Sequence, residues 1–169
     1  MKEKNEKHSY GCLMCLPHSK VMPHFVKFGK TAVLPSSLYT AEDGYGYTDE
    51  PHVTIKYGFA PDLNADNVKS VLRGIKPFDI MFNAISLFEN ENYDVVKFDV
   101  EHNDTLMKIR NRCNSFENYD EYPEYMPHST IAYVKRGTFP YKKNGLRIKV
   151  PVNRMKYSDK NSNILYVDL

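Results

Sequence analysis

Two copies of one seven-residue sequence place a histidine two residues before a threonine: PHVTIKY at 51–57 and PHSTIAY at 127–133, which agree at five of seven positions. Side chains two apart on a strand point to one face, so each copy would present an imidazole and a hydroxyl together. If the two strands face one another, two proton-transfer groups and two hydroxyl donors surround one cleft. Such a set suits in-line attack on a phosphodiester, because one histidine can deprotonate the nucleophile while the other protonates the leaving oxygen.

The candidate catalytic residues are therefore His52, Thr54, His128 and Thr130. Either histidine alone would be interpreted as an exposed residue at a strand end, but their recurrence in matching peptides favours catalysis. The threonines are expected to donate hydrogen bonds to non-bridging phosphate oxygens as charge grows in the transition state. Neither motif has a carboxylate at metal-ligand spacing, so we expect no metal and no cofactor.

The two motifs resemble those of the 2H phosphoesterases, a family named for two histidine-x-threonine motifs on the central strands of a two-lobed fold. Residues 34–39, 42–44 and 50–58 are further similar to the branch that contains the phage anti-CBASS nucleases, which degrade the cyclic oligonucleotides of bacterial immunity. The resemblance implies an α+β fold with two antiparallel sheets around a central cleft, a pseudo-twofold duplication and flanking helices. It also implies a metal-independent phosphodiesterase whose substrate is a cyclic di- or trinucleotide.

Length and charge limit the alternatives. The 169 residues suit a single domain, here predicted to have two lobes, with residues 1–8 flexible. The net charge of +2, from 23 basic and 21 acidic residues, is too balanced for binding long nucleic acids and favours a small anionic ligand. With no membrane-length apolar run and no signal peptide, the expected location is cytoplasmic, meaning the host bacterial cytoplasm if the protein is phage-encoded. No obligate protein partner is evident.

The pattern along the chain is that of an α+β domain with an internal duplication, and not of parallel βαβ units. Helical spacing of apolar residues predicts a helix at 64–75 capped by Asn64, and a second helix capped by Asn103 or Asp104. Strands are predicted at 10–16, 78–88, 94–101, 147–157 and 164–169, besides the two motif strands and a short strand within 25–34.

Candidate substrate-binding residues are aromatic side chains for base stacking and basic side chains for phosphate. By strand alternation Lys56 would share a face with His52 and Thr54, whereas Tyr57 and Tyr133 would lie on the opposite face in the core. The basic run at 135–156 contains eight lysines or arginines and no acid. The full set is Tyr10, Lys56, Tyr93, Tyr122, Tyr125, Arg147, Lys149, Arg154, Lys156 and Tyr157.

Three other interpretations remain open. The first is an RNA 2′,3′-cyclic phosphodiesterase of the same type, and the second is a module that binds a nucleotide without cleaving it. The third is a zinc-stabilised domain built on Cys12, Cys15, His18 and His24. It is disfavoured because thiols three apart on a strand point to opposite faces. The sequence also leaves open which histidine is the base and which cyclic oligonucleotide is preferred.

Overall fold

The computed structural model describes residues 9–41, 43–120, 122, 124–140 and 143–169, so the flexibility predicted for residues 1–8 lies outside it. The strands of this described part are β1 (Gly11–Pro17), β2 (Val53–Phe59), β3 (Phe78–Glu89), β4 (Tyr93–Val100), β5 (His128–Lys135), β6 (Lys143–Ser158) and β7 (Ile164–Asp168). Its helices are α1 (Met22–Ala32), α2 (Ala65–Leu72), α3 (Asp104–Cys113) and a short 3-10 helix, Pro35–Ser37. None of these helices has the length and apolar character needed to cross a membrane.

All strand pairs are antiparallel, and the hydrogen-bonded order is β2-β1-β6-β3-β4-β5, with β7 also paired to β6. The 16-residue β6 belongs to both lobes, because its first half pairs with β3 and its second half pairs with β1 and β7. The two predicted sheets are therefore the two halves of one continuous seven-stranded sheet. Each half contains four strands, because β6 is counted in both. The motif strands β2 and β5 end this order, yet they contact each other. The predicted α+β, two-lobed architecture is confirmed.

Each motif strand is supported by the helix that precedes the other motif. The helix α1 connects β1 to β2 but packs against β5, whereas α3 connects β4 to β5 and packs against β2. On α1, Phe25 and Phe28 contact the rings of Phe82 and Phe98 in the second lobe. This exchange of helices ties the two lobes together across the middle of the domain.

The predicted helix caps are confirmed. The Asn64 side chain accepts a hydrogen bond from the Asn67 amide in a capping box, and Asn103 accepts one from the Leu106 amide. The predicted short strand within 25–34 is wrong, because α1 covers most of that range. A proline in the first turn lacks only an amide that needs no partner there, so Pro23, the second residue of α1, does not interrupt the helix.

Candidate active site

The two motif histidines are held in the same way. The Nδ1 atom of His52 lies 2.9 Å from the carbonyl oxygen of Glu50, and Nδ1 of His128 lies 2.8 Å from that of Met126. In each case the carbonyl belongs to the residue two positions earlier. A carbonyl oxygen only accepts, so Nδ1 carries the proton and Nε2 is the ring atom that can take up or release one.

The surroundings of His128 favour its neutral form. Burial lowers the pKa of its imidazole, and the positive charges of Lys97 and His52 lower it further, against the raising effects of the Met126 carbonyl and Asp99. The contribution of His52 is consistent with the contact between β2 and β5. Both histidines are half-buried.

A β-bulge follows the first motif threonine. Thr54 pairs with Met14 and Lys56 pairs with Leu13, so Ile55 has no counterpart on β1. An extra residue of this kind breaks the alternation of side chains and redirects those that follow. Bulges are common beside active sites for this reason.

The second motif has a bulge at the equivalent position. Thr130 pairs with Lys97 and Ala132 pairs with Val96, which leaves Ile131 as the extra residue. The isoleucine that recurs in the two heptapeptides is thus the bulged residue in both lobes. The internal duplication extends to this detail of backbone geometry.

The bulges overturn the prediction that the recurring tyrosines lie in the core. Tyr57 pairs with Cys12, whose thiol lies 4.0 Å from the Thr54 hydroxyl, so the tyrosine lies on the face that bears the motif threonine. It is 36% exposed. Tyr133 pairs with Val95 in the same way. Regular alternation would have placed both rings on the opposite face.

The same bulge corrects the prediction for Lys56, which does not share the face of Thr54. It points with its partner Leu13 to the other side and is only 4% exposed. Its ammonium contacts Asp120 Oδ2 at 2.8 Å and Asn114 Oδ1 at 3.1 Å. Burial works to raise the pKa of Asp120, but hydrogen bonds led by that from Lys56 bring it below its usual range.

The backbone carbonyls of Thr54 and Ile55, at the first bulge, accept hydrogen bonds from Tyr125 and Arg110. Neither supporting role was predicted from the sequence. Arg110 donates to the Ile55 carbonyl at 2.8 Å and to Asp120 at 2.5 Å, and its guanidinium lies 4.3 Å from the centre of the Tyr125 ring. The Tyr125 hydroxyl donates to the Thr54 carbonyl at 2.9 Å. Tyr125, proposed above for base stacking, thus supports the motif backbone. Arg110 and Asp120 are far from the motif in sequence, and no local pattern identifies them.

Two clusters of tyrosine rings lie at equivalent positions in the two lobes. In the first, Tyr10 contacts Tyr57 and Tyr119, with ring centres 5.8 and 5.5 Å apart. The second consists of Tyr39, Tyr45, Tyr93 and Tyr133. The structure thus brings two of the predicted stacking residues, one per lobe, beside the recurring motif tyrosines. Tyr122 belongs to neither cluster and is 74% exposed.

The close approach of Tyr119 requires Gly58. That glycine has φ +102°, and a Cβ added there would lie 2.3 Å from the Tyr119 carbonyl oxygen. The Tyr119 amide donates to the Gly58 carbonyl at 2.8 Å. The glycine that follows the first heptapeptide thus helps to hold one side of the first tyrosine cluster.

The basic candidates are spread over both halves of β6. Lys156 pairs with Met14, and its ammonium lies 2.5 Å from the carboxylate of Glu50, the residue whose carbonyl holds His52. The others form exposed ion pairs: Arg147 with Glu101 and Lys149 with Asp79 on the half that pairs with β3, and Arg154 with Asp168 beside β7.

Tyr157 is not available for binding, which corrects the prediction for it. The residue is 3% exposed, its ring packs against Phe59, and its hydroxyl accepts a hydrogen bond from the Leu63 amide at 2.8 Å. The alternation of β6 explains this position. Its neighbour Lys156 points to the face of Met14, so Tyr157 points to the core.

The cysteines proposed as zinc ligands are buried free thiols in β1. Cys12 lies near the Thr54 hydroxyl, whereas Cys15 belongs to the hydrophobic core, so the two thiols do not converge. Burial raises the pKa of each thiol to about 12. Among the residues that the structure describes, no group of three or more potential ligands is arranged to hold a metal.

The fold and the two motifs together define a family. The model of the 2'-5' RNA ligase superfamily matches residues 37–144, a span that includes both heptapeptides, and the chain belongs to this superfamily. The resemblance to the 2H phosphoesterases is confirmed at that level. No curated protein matches the chain.

Solved structures share the fold over nearly the whole chain. LigT of E. coli, in complex with 3'-AMP, has a TM-score of 0.63 at 11% identity over 95% of this chain and 94% of its own. TT0787 of Thermus thermophilus has a TM-score of 0.62 at 15% identity over 95% and 94%. Usb1 of Kluyveromyces marxianus has a TM-score of 0.60 at 11% identity over 96% and 99%. At these identities the likeness establishes the fold alone.

Proposed function

We propose that this protein is a metal-independent phosphodiesterase in which His52 and His128 exchange protons with the substrate. The observation that carries the proposal is the matched pair of Nδ1 hydrogen bonds to backbone carbonyls. It gives both imidazoles the same tautomer on strands that contact each other. A binding module has no need of two such groups, whereas general acid–base catalysis requires both.

For an RNA-like 3′,5′ linkage, one neutral imidazole takes the proton of the adjacent 2′-hydroxyl at Nε2. The 2′-oxygen then attacks phosphorus, and the bond to the 5′-oxygen breaks as the other, protonated imidazole gives that oxygen its proton. The products are a 2′,3′-cyclic phosphate and a 5′-hydroxyl. Thr54 and Thr130 donate hydrogen bonds to the non-bridging oxygens, where negative charge grows in the transition state.

The proposed substrate is a cyclic di- or trinucleotide, as in the anti-CBASS branch that the sequence resembles. The two tyrosine clusters support this proposal, because they supply one stacking surface in each lobe on the face of the motif threonines. The balanced net charge of +2 also suits a small anion better than a long polyanion.

A second candidate is the RNA 2′,3′-cyclic phosphodiesterase, in which an activated water opens a cyclic phosphate. It is favoured by the superfamily match and by the LigT structure in complex with 3'-AMP. The same four motif residues would serve both reactions, so the choice of substrate distinguishes them.

The test is incubation with cyclic di- and trinucleotides, linear RNA and 2′,3′-cyclic mononucleotides in the presence of EDTA, followed by chromatography. We expect cyclic oligonucleotides to be cleaved fastest and chelation to leave the rate unchanged. Faster cleavage of 2′,3′-cyclic mononucleotides would select the second candidate. Activity that EDTA abolishes and that Mg²⁺, Mn²⁺ or Zn²⁺ restores would contradict the proposed mechanism.

The role of the tyrosine clusters can be tested at Tyr57. Stacking of one base on a tyrosine contributes roughly 1 to 3 kcal/mol, so Tyr57→Leu should raise KM about 5- to 150-fold with a smaller effect on kcat. Tyr57→Phe keeps the ring and serves as the matched control, with KM near that of the parent. Equal KM values for the leucine variant and the parent would remove Tyr57 from the binding surface.

A further inference from the structure

The pseudo-twofold relation between the lobes fails at one buried position. The residue paired with Thr54 is Met14, whereas the residue paired with Thr130 is Lys97. Lys97 is only 3% exposed, so its charge is almost completely removed from water. A buried lysine needs compensation, and the first lobe has the uncharged Met14 at the equivalent position, so the two histidine sites differ in charge there.

The ammonium of Lys97 is held by uncharged and acidic groups of β3 and β4. It forms an ion pair with the half-buried carboxylate of Asp99 and donates to the Ser86 hydroxyl at 2.6 Å. The same Asp99 oxygen accepts a hydrogen bond from Ser86 at 2.9 Å. Asp99 is also the strand partner of His128, so this carboxylate lies directly across from the histidine.

The ring of Phe88 contacts both Lys97 and His128. The Lys97 ammonium lies 4.2 Å from the centre of the Phe88 ring, and His128 packs edge-on against that ring with centres 4.8 Å apart. Phe88 therefore takes part in both contacts and fixes the plane of the imidazole relative to the ion pair. Position 97 is thus linked to His128 by charge and by packing.

We propose that Lys97 is a positioning residue for His128: by neutralising Asp99 across the strand pair, it keeps the imidazole uncharged so that His128 acts as the general base. This proposal rests on the phosphodiesterase function given above. It leaves His52 to protonate the departing oxygen. The first lobe has a different arrangement, in which the pair of Lys156 and Glu50 is more exposed and belongs to the residue that holds His52.

The charges that face His128 determine the sign of each change. Among the described residues, they include Lys97 and Asp99 from β4 and His52 from the other motif, and β3 places the uncharged Ser86 and Phe88 beside them. Removing the lysine leaves an unbalanced carboxylate and stabilises the imidazolium, whereas removing the carboxylate charge leaves an unbalanced ammonium and disfavours it. The two substitutions should therefore move the titration of His128 in opposite directions.

The experiment is titration of the histidine ring signals by NMR in the full-length chain, with the His128 signal assigned by its loss in His128→Gln. We expect Lys97→Met, which installs the residue of the other lobe, to move the His128 titration up by about one pH unit. Asp99→Asn should move it down, and the double variant should bring it back toward the parent. Lys69→Met, an exposed lysine of α2, is the control and should leave it unchanged.

The pH profile of kcat/KM links these shifts to function. If His128 is the base, the acidic limb of the kcat/KM profile should move with the NMR titration of His128, in the same order across the four variants. An unmoved His128 titration in both Lys97→Met and Asp99→Asn would overturn the proposal, as would a basic limb that moves in place of the acidic one. Because Asp99→Asn keeps the lysine, it provides the test even if Lys97→Met does not fold. Absence of turnover in the parent would contradict the proposed function instead, and the NMR shifts would still decide the electrostatic link.

Discussion

His52→Ala and His128→Ala are each expected to reduce turnover by about 10² to 10⁴, the usual loss when a positioned acid or base is removed. Because the reaction needs both proton transfers, the double variant should be little slower than the slower single variant. The measurement is the single-turnover rate with the best substrate of the panel. His24→Ala, at an exposed position of α1, is the matched control and should keep the parental rate.

The fold must survive these substitutions for the rates to be interpretable. His52 lies one residue before β2 and His128 is the first residue of β5; both are half-buried, and neither belongs to the hydrophobic core. Thermal unfolding of each variant should therefore lie close to that of the parent. A rate near the parental value in either well-folded variant would end the acid–base assignment. Nucleotide binding without turnover in the parent and in both variants would identify a binding module.

Much of this site is predictable from local sequence. The motif residues His52, Thr54, His128 and Thr130 were found because two short peptides repeat, and the caps at Asn64 and Asn103 follow rules that act within four residues. The non-convergence of Cys12 and Cys15 also follows from strand geometry. These predictions depend only on neighbours in the chain, so the sequence contains what they need.

The faces of Lys56, Tyr57 and Tyr133 could not be predicted in the same way. Their orientation depends on bulges at Ile55 and Ile131, and a bulge is defined by the register of the neighbouring strand. Alternation assumes a regular strand, so it predicts the wrong face for Lys56, Tyr57 and Tyr133. The repetition of isoleucine and tyrosine indicates that each pair has the same role in both lobes. It does not indicate which role, because a duplicated core residue and a duplicated binding residue look alike in sequence.

Lys97 was missed for a related reason. It lies in a strand of ordinary composition, VVKFDV at 95–100, where alternating lysine and aspartate resemble a solvated face. Its burial and its position opposite Thr130 arise from strand pairing and from the packing of Phe88. Long-range contacts thus account for the supporting residues of the site, whereas the reacting groups themselves are visible in short motifs.

Thr54→Val and Thr130→Val should each slow the chemical step by about 10² to 10³, the loss expected when one oxyanion donor is removed. Valine keeps the shape and the strand preference of threonine, so the bulge and the fold are expected to be retained. The hydroxyl acts on charge that grows only in the transition state, so kcat should fall while KM changes little. The measurement is the pair of kcat and KM values for each variant.

Serine at the same positions separates the hydroxyl from the methyl group. Thr54→Ser and Thr130→Ser keep the donor and should recover most of the rate that the valine variants lose, although the serine rotates more freely about χ1. Thr54 provides the more demanding case, because the Cys12 thiol lies 4.0 Å from its hydroxyl and would face a methyl group in the valine variant. If the valine variants raised KM and left kcat unchanged, the threonines would bind the substrate without stabilising its transition state. The charge on the phosphate would then have to be met by other groups, and Lys156, whose strand partner Met14 also pairs with Thr54, is a basic candidate.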